Sequence, residues 1–309
     1  MAIGRPLKVG IGLPDAIGQM AGGTARWSDL AGMARRAEEL GFDSVWVEDH
    51  LLFRGDVTGG PTEGPWECCS LLAALAAVTS RVEIGPLVAC TSFRNPALLA
   101  KIADTVDEIS GGRLILGLGA GWHEPEYEAF GYPFDHRVGR FAEALEIIHG
   151  LLRHGQIDFS GRYYSARECE LRPRGPRPGG PPILMGTTRP RMLRLAARFA
   201  DLWNVYFPQD LAPLRAAVDE ACADVGRDPA TLGRTAAVLI DSTGEGARRS
   251  SANPGGRTPL SGSPEEIAAA LRGYAAAGIS HVQVWLEPNS IRGIEAFAPV
   301  LEVLDAGAS

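Results

Sequence analysis

Lysine, long apolar runs and paired cysteines are scarce in this 309-residue sequence. No apolar run is long enough to cross a bilayer, and residues 1–13 lack the apolar core and cleavage site of a signal peptide, so we expect a cytoplasmic globular protein. The five cysteines are an odd number without C-x-x-C spacing, which excludes a disulfide framework or a zinc site. Cys68 and Cys69 could form a redox switch, but we interpret them as small buried residues of a helix.

Positive charge is scarce too, because the formal net charge is −7, which argues against binding to nucleic acid or to an anionic membrane. Only 2 of the 30 basic residues are lysine, a bias typical of GC-rich bacterial genomes. Residues 162–198 are the exception, since their nine arginines and two glutamates give +7 and leave −14 for the rest of the chain. This basic segment is either a solvated face with a linker or a site for an anionic ligand.

Short β-branched runs alternate with amphipathic helical stretches along the whole chain. Eight such strand–helix units in about 300 residues favour an α/β fold, a closed (β/α)8 TIM barrel, over a doubly wound sheet. We expect one domain over 1–309, with longer excursions at 155–182 and 241–263 on the C-terminal face of the strands, where each is either a lid or a disordered loop. The predicted strands are 8–13, 43–49, 82–88, 113–119, 183–186, 202–206, 235–240 and 281–286.

Polar residues at the C-terminal ends of the strands are the first candidates for function, because barrel active sites lie there. In "VWVEDHLLF" the period of two places Trp46, Glu48 and His50 on one face of the second strand. His50 then lies at the mouth, and its near-neutral pKa suits general acid or base chemistry. The alternative is a hydrogen-bonded structural histidine.

Three glycines at alternate positions end the fourth strand in "LILGLGAGWHEPEYEAFG". A dinucleotide-binding GxGxxG would need glycine where Trp122 stands, so the glycines more simply allow a backbone to approach a flat or anionic ligand. His123, Glu124 and Glu126 suggest a metal site, but their spacing matches no strong motif and acids suit the first turn of a helix. We therefore predict no metal.

The end of the fifth strand, "MGTTRPRM", combines features of an anion site. Gly186, Thr187 and Thr188 precede a helix with Pro190 in its first turn. Backbone N–H groups, two hydroxyls, the helix dipole and Arg189 would converge there on a phosphate. Together with the basic segment, this favours an anionic cofactor at the fourth and fifth strands.

These strings resemble the luciferase-like monooxygenase superfamily of flavin- and deazaflavin-dependent barrels. The central string "FRNPALLAKIADTVDEISGGRLILGLGAGWHEPEYEAFG" is specific, and the resemblance covers almost the whole chain. It implies an oxidoreductase with a cofactor ring across the barrel mouth, a small-molecule substrate and a homodimer. The other strings that carry it lie at 41–51, 75–85, 159–164 and 181–204.

The resemblance also implies site residues. His50 would move the proton that accompanies hydride transfer, and a non-proline cis peptide is expected near Leu87–Val88. The implied cofactor contacts are Asp49, His50, Leu87, Val88, Gly117, Gly119, Ala120, Gly121, Trp122, Glu126 and Arg137, with the phosphate at Gly186, Thr187, Thr188 and Arg189. Apart from the resemblance, an apolar substrate pocket could be lined by Phe53, Trp66, Phe93, Trp122 and Tyr164, and the alternative is that any of these belongs to the core.

The family divides by cofactor, and two alternatives stay open. Members that use coenzyme F420 exchange a hydride with a substrate and carry an "SDH"-like end of the second strand, which "EDH" resembles; this is the alternative we favour slightly. Members that use reduced FMN oxygenate a substrate with dioxygen and need a partner reductase, and "GWHEPEYEAFG" resembles the pyrimidine-oxygenase type. Trp122 replaces a glutamate of the sugar-phosphate dehydrogenases, which argues against that activity. A non-catalytic flavin-binding protein and a metal-dependent hydrolase are the remaining hypotheses.

Overall fold

A nine-stranded sheet of parallel strands forms the wall of a barrel in the computed structural model, which describes residues 5–20, 23–58, 60–244 and 258–307. All eight predicted strands are present, and the predicted (β/α)8 fold is confirmed. The nine strands of the sheet are β1 (Lys8–Gly12), β2 (Ser44–Val47), β3 (Glu83–Pro86), β4 (Ala89–Cys90), β5 (Leu116–Gly119), β8 (Ile183–Gly186), β9 (Leu202–Tyr206), β10 (Gly233–Asp241) and β11 (His281–Glu287). Strands β6 (Gln156–Ser160) and β7 (Ser165–Glu170) form a separate hairpin.

The sheet runs in the order β3-β2-β1-β11-β10-β9-β8-β5-β4. Strand β3 lies within the predicted strand 82–88, and β4 continues it beyond that range after an interruption at Leu87 and Val88, whose peptide bond is cis as the family resemblance implied. The circle closes where Ile84 N–H donates to Arg113 O (3.0 Å) and Ile115 N–H donates to Ile84 O (2.8 Å). The C-terminal ends of the strands therefore meet around one mouth.

Helices surround the sheet, and the main apolar core lies between the two layers. Side chains of Glu67, Asn95 and Ser263 cap three of the helices at their first turns, and Asn and Ser are residue types favoured at this position. None of the described helices is both long and apolar enough to cross a membrane. The helices are α1 (Trp27–Glu39), α2 (Gly55–Thr58), α3 (Cys68–Val78), α4 (Pro96–Ser110), α5 (Glu124–Phe130), α6 (Arg137–His154), α7 (Pro190–Phe199), α8 (Ala212–Asp224), α9 (Pro264–Ala276) and α10 (Ile291–Ala306).

The interior of the barrel is filled by a second apolar cluster that includes Trp46 and Trp285. Glycines on the wall make room for these rings: a Cβ at Gly12 would lie 2.5 Å from Trp285 Cε2, and a Cβ at Gly85 would lie 2.6 Å from Trp46 Cζ3. Because the interior is packed, it is a core rather than a channel, and an open cavity forms only above it.

The 155–182 excursion differs from the expected loop. It contains the β6–β7 hairpin, and it follows the C-terminal end of α6 and returns to the start of β8, so its two roots lie at the N-terminal ends of the strands. Only the hairpin tip reaches the mouth end, where Tyr163 packs beside Gly139 in the first turn of α6. The prediction of a loop on the C-terminal face is therefore wrong for most of this segment.

The 241–263 excursion leaves β10 at the mouth. Its described part begins with Asp241, whose side chain accepts N–H groups of Thr243 and Gly244, and it returns where Leu260 pairs with Ile240. The stretch 245–257 lies outside the described residues, so the predicted lid stays a prediction.

Candidate active site

A cavity of about 650 Å³ opens at the C-terminal ends of the strands. The end of β2, the junction of β3 and β4, the turn after β5, the turn after β8 and the end of β9 all contribute to it. Of the fifteen predicted cofactor contacts, all but Gly117 line this cavity. The lining residues are Glu48, Asp49, His50, Phe53, Leu87, Val88, Cys90, Gly119, Ala120, Gly121, Trp122, Glu126, Arg137, Val138, Gly186, Thr187, Thr188, Arg189, Met192, Asn204, Val205 and Tyr206.

His50 is held by a carboxylate from a different element. Its Nδ1 lies 2.9 Å from Glu126 Oε1, and the other oxygen, Oε2, accepts the N–H of Leu51 at 2.8 Å. Glu126 lies on α5 and is fully buried, so the pair fixes the orientation of the imidazole. Burial lowers the pKa of His50, but the hydrogen bond and charge of Glu126, with two further carboxylates, outweigh this effect and raise the pKa above its ordinary value.

Asp49 lies at the same strand end and lines the cavity, but both of its carboxylate oxygens are bonded to other parts of the chain. Arg94 donates to both of its oxygens, at 2.6 and 3.0 Å, and Cys90 N–H donates to Oδ2 at 2.8 Å. These bonds tie the segment after β2 to the end of β4 and to the residues that follow it, and they neutralise the charge of Asp49. Its predicted contact with a cofactor stays a prediction, and in the structure its side chain positions the two strands.

A buried carboxylate pair lies beside His50. Glu48 lines the cavity, its Oε2 accepts from Gln19 Nε2 at 2.9 Å, and its backbone N–H donates to Asp15 Oδ2 at 2.6 Å. Burial and the charge of Glu48 raise the pKa of Asp15 well above its ordinary value, and burial raises the pKa of Glu48 against the opposing effects of His50 and Gln19. No lysine or arginine is bonded to either carboxylate in the described chain, so the pair retains a proton more readily than an ordinary acid.

The alternating glycines of β5 leave room for atoms of Pro86 and Val88, rather than for a ligand. A Cβ at Gly117 would lie 2.1 Å from Pro86 O, and one at Gly119 would lie 2.6 Å from Val88 Cγ2. Gly121 has φ +72° and faces the hydroxyl of Tyr127. Gly117 therefore serves close strand packing below the cavity, whereas Gly119 lets the Val88 side chain form part of the cavity wall.

The turn after β8 has the donors expected of an anion site. Arg189 N–H donates to Thr187 Oγ1 at 3.2 Å, and Pro190 begins the ten-residue helix α7, which has no side-chain cap. The Thr188 side chain is exposed at the same end of the cavity. This arrangement leaves first-turn amides, a hydroxyl and a guanidinium for a phosphate group.

The predicted aromatic residues separate into two sets. Phe53 and Trp122 flank His50, with ring centroids 4.5 and 5.6 Å from it. Phe93 packs instead against Tyr127 in a separate cluster, and Trp66 lies on the surface with its Nε1 donating to Ala25 O. Tyr164 packs on the main core, so Trp66, Phe93 and Tyr164 do not line the cavity.

The structure adds lining residues that the sequence analysis missed. Tyr206 ends β9, and the rule that selected His50 would have found it at a strand end. Asn204 is buried, and its side-chain amide donates to Thr235 and Gln283. Cys90 also faces the cavity, and burial raises the pKa of its thiol to about 12, so it is a neutral thiol at physiological pH.

The suggested metal ligands have other partners. His123 is buried, and its Nε2 accepts the N–H of Arg54 at 3.3 Å, while Glu126 is bonded to His50. Glu124 begins α5, where an acid suits the positive end of the helix. Within the described residues, no group of three or more metal-binding side chains converges.

Comparison with known proteins identifies the family. The family model for luciferase-like monooxygenases matches residues 7–254. The chain belongs to this family. The relatives it matches include a reductase and a monooxygenase, so the family is one of oxidoreductases and monooxygenases.

Individual relatives of this luciferase-like protein differ in activity. It is 31% identical over 227 residues to 5,10-methylenetetrahydromethanopterin reductase of Archaeoglobus fulgidus, covering 72% of this chain and 64% of the relative. It is 33% identical over 232 residues to pyrimidine monooxygenase RutA of Enterobacter cloacae subsp. cloacae, covering 70% and 61%. The chain thus spans less than two thirds of either relative. An F420-dependent secondary alcohol dehydrogenase superimposes with TM-score 0.78 at 19% identity over 96% of this chain and 99% of its own, which shows the shared fold.

Proposed function

We propose that the protein is an F420-dependent oxidoreductase that transfers a hydride to or from a small organic substrate, with His50 as the proton donor or acceptor. The observation that carries this proposal is the His50–Glu126 pair at the mouth, with Nδ1 bonded at 2.9 Å and Nε2 left for the cavity. A carboxylate that orients an imidazole and raises its pKa is a common arrangement for a general acid or base.

The cavity fits a flavin-type cofactor at both ends. Leu87, Val88 and Ala120 supply an apolar wall for a flat ring, and the turn at Thr187 and Thr188 supplies donors for a phosphate. When bound, such a cofactor supplies the hydride chemistry that no side chain here provides. The chain's own part is to hold the ring beside His50, to exclude water with Phe53 and Trp122, and to move a proton at His50 Nε2.

Reduced FMN is the second candidate cofactor, and the 33% identity to a pyrimidine monooxygenase favours it. With FMN the protein would be a monooxygenase that consumes dioxygen and depends on a partner reductase. The two candidates share the ring site and the phosphate site, so they are separated by binding and by oxygen consumption rather than by the position of His50.

The test is a titration of the apo-protein with F420, FMN and anaerobically reduced FMN, followed by cofactor fluorescence or absorbance, with His50→Asn beside the wild type. We expect F420 to bind most tightly and the variant to keep its affinity within about threefold. With a panel of secondary alcohols and enones, the variant should lose about 100-fold or more of the hydride-transfer rate. Preference for reduced FMN with oxygen consumption would establish the second candidate, and binding of neither cofactor would overturn both.

A further inference from the structure

The nine arginines of the basic segment have different surroundings in the structure: Arg189 lines the mouth cavity, Arg167 and Arg198 are exposed, and the other six form two groups. Four of them are ion-paired away from the mouth cavity: one locally at the end of β7, two with α4 and one between α7 and α8. These pairs, given by arginine and carboxylate, are Arg172–Glu170, Arg174–Asp104, Arg177–Asp107 and Arg194–Asp224. Nearby carboxylates thus neutralise the charge of these four arginines, and the other arginines of the segment keep their positive charge.

Arg162 and Arg191 line a second cavity of about 500 Å³ beside the mouth. Within the described ranges, neither guanidinium has a carboxylate at ion-pair distance, and no acid lines this cavity. Asp135, next to His136, is paired with Arg140. The remaining lining residues are Phe134, His136, Arg137, Val138, Gly139 and Tyr163.

The second cavity continues from the first. Arg137 and Val138 line both. Arg137 is fixed between them, because its Nη1 donates to Gly121 O at 3.0 Å and its guanidinium lies 3.8 Å from the centroid of the Phe134 ring. A ligand that leaves the mouth cavity past Arg137 therefore enters a region with three guanidinium groups.

The hairpin tip that carries Arg162 is anchored. Glu143 on α6 accepts three consecutive backbone N–H groups, from Arg162 and Tyr163 at 2.8 Å each and from Tyr164 at 3.0 Å. The Arg162 guanidinium also lies over the Tyr163 ring, at 5.3 Å. Because the backbone is held, the arrangement of the cluster is a built feature of the fold, and binding an anion costs little further ordering.

We propose that the second cavity binds an anionic tail of the cofactor, beyond the phosphate held at Gly186–Arg189. This inference rests on the proposed function, and it specifies the class of cofactor. The oligocarboxylate tail of F420 supplies negative groups beyond its phosphate, whereas FMN ends at a single phosphate. Arginine suits carboxylates because its planar donors match them in pairs. The second cavity thereby selects the longer, more anionic cofactor.

The test compares R162E/R191E with the matched control R167E/R198E. The control changes net charge equally on the same hairpin and the same helix, at exposed arginines that do not line the cavity. The ligands are F420 with its glutamate tail, the same deazaflavin trimmed to its phosphate, and FMN. We expect the cavity variant to bind tailed F420 about tenfold more weakly than the control variant, and to bind the trimmed form and FMN within about twofold of it.

Equal weakening of tailed F420 binding by both double variants would mean a general charge effect and would overturn the inference. Equal loss of affinity for the tailed and the trimmed ligand would also overturn it, because the phosphate itself would then bind in this cavity. A cavity variant that matches the wild type with tailed F420 would overturn it while leaving the proposed function intact. If the wild type binds none of the three ligands, the proposed function fails first. Circular dichroism of both variants checks that each is folded.

Discussion

The imidazole of His50 and the carboxylate of Glu126 depend on each other across 76 positions of sequence. Alternation along β2 was enough to predict that His50 faces the mouth. The strand period does not indicate which acid would meet it, because that depends on where the short helix α5 packs. Glu48 was on the predicted face, but its buried partner Asp15 could not be found, since Asp15 follows β1 in a turn without a pattern.

Glu126→Gln should lower the pKa of His50. The substitution keeps the shape and the acceptor for Leu51 N–H but removes the charge that raises this pKa. We expect a fall of about one pH unit or more, measured by NMR titration of the His50 ring protons. Glu128→Gln, an equal charge change at an exposed position of the same helix, should leave the value unchanged. An unmoved pKa in Glu126→Gln would refute the electrostatic role.

The sign of the pH effect on stability follows from the same pair. His50 has a higher pKa in the folded chain than in the unfolded chain, so protonation favours folding. The stabilisation that protonated His50 gives the fold is complete below the ordinary histidine pKa of about 6.5, and it is lost as the pH rises through the pKa of His50 in the folded chain.

Asp15→Asn should stabilise the protein at alkaline pH. The pKa of Asp15 is higher in the folded chain than in the unfolded chain, so protonation of Asp15 favours folding. This contribution to stability is complete below pH 3.8 and is lost as the pH rises through the pKa of the folded chain. Above that pKa the buried carboxylate is charged and destabilises the fold. Asparagine keeps an acceptor for Glu48 N–H without that charge. We expect urea unfolding at pH 8 to show a gain of roughly 1–2 kcal/mol that vanishes near pH 4. Asp158→Asn, exposed on β6, is the control and should show no such trend.

At the scale of elements, hydrophobic periodicity predicted the eight barrel strands and the helices between them. Each of these elements has one or two buried faces, so its sequence must place apolar residues at the matching spacing. The β6–β7 hairpin was missed for the converse reason. In β6 only Ile157 and Phe159 alternate with polar residues, over five positions, and β7 has a single buried residue, Ala166, so the apolar pattern is too short to mark a hairpin. Its tip is instead held by contacts with Glu143, which a local pattern does not contain.

Gly119→Ala tests the close packing of β5. The new methyl would lie 2.6 Å from Val88 Cγ2, so we expect a loss of about 1–3 kcal/mol in the free energy of unfolding and weaker cofactor binding. Gly273→Ala adds the same methyl inside α9, where no atom lies within 4 Å, and should stabilise by about 0.5–1 kcal/mol. If both variants were equally stable, the packing argument for β5 would be wrong.

At the scale of the whole molecule, the two ends of the barrel have different tasks. The mouth carries the cavities, and the opposite end carries ion pairs between α4 and the root of the insertion. Asp107 is fully buried there and accepts from Arg177 at 2.5 and 2.9 Å and from Leu114 N–H at 3.2 Å. Neither this bottom network nor its separation from the mouth could be predicted, because the partners lie about 70 residues apart and the basic segment looked uniform in sequence.

Asp107→Asn should therefore reduce stability without reducing cofactor affinity. Leaving Arg177 without its carboxylate should cost about 2–3 kcal/mol in denaturant unfolding, since partners of buried pairs are costly to remove. Asp305→Asn, which removes the half-exposed partner of Arg5, should cost much less. Cofactor affinity should stay within about twofold for both variants, because distant sites act independently. A large loss of affinity in Asp107→Asn would show that the two ends are coupled.

The 155–182 insertion begins and ends at one end of the barrel, and its hairpin tip lies at the other end. There Glu143 accepts three backbone N–H groups of the tip. Because the tip is attached largely through its backbone, the exposed side chain of Arg162 can be replaced while the roots, the strand order and His50 stay as they are. The tip stays docked through the three backbone bonds to Glu143, the packing of Tyr163 beside Gly139 and the packing of Tyr164 on the main core. If the second cavity binds the cofactor tail as proposed, a change at Arg162 alters cofactor choice without any change to the residues around His50.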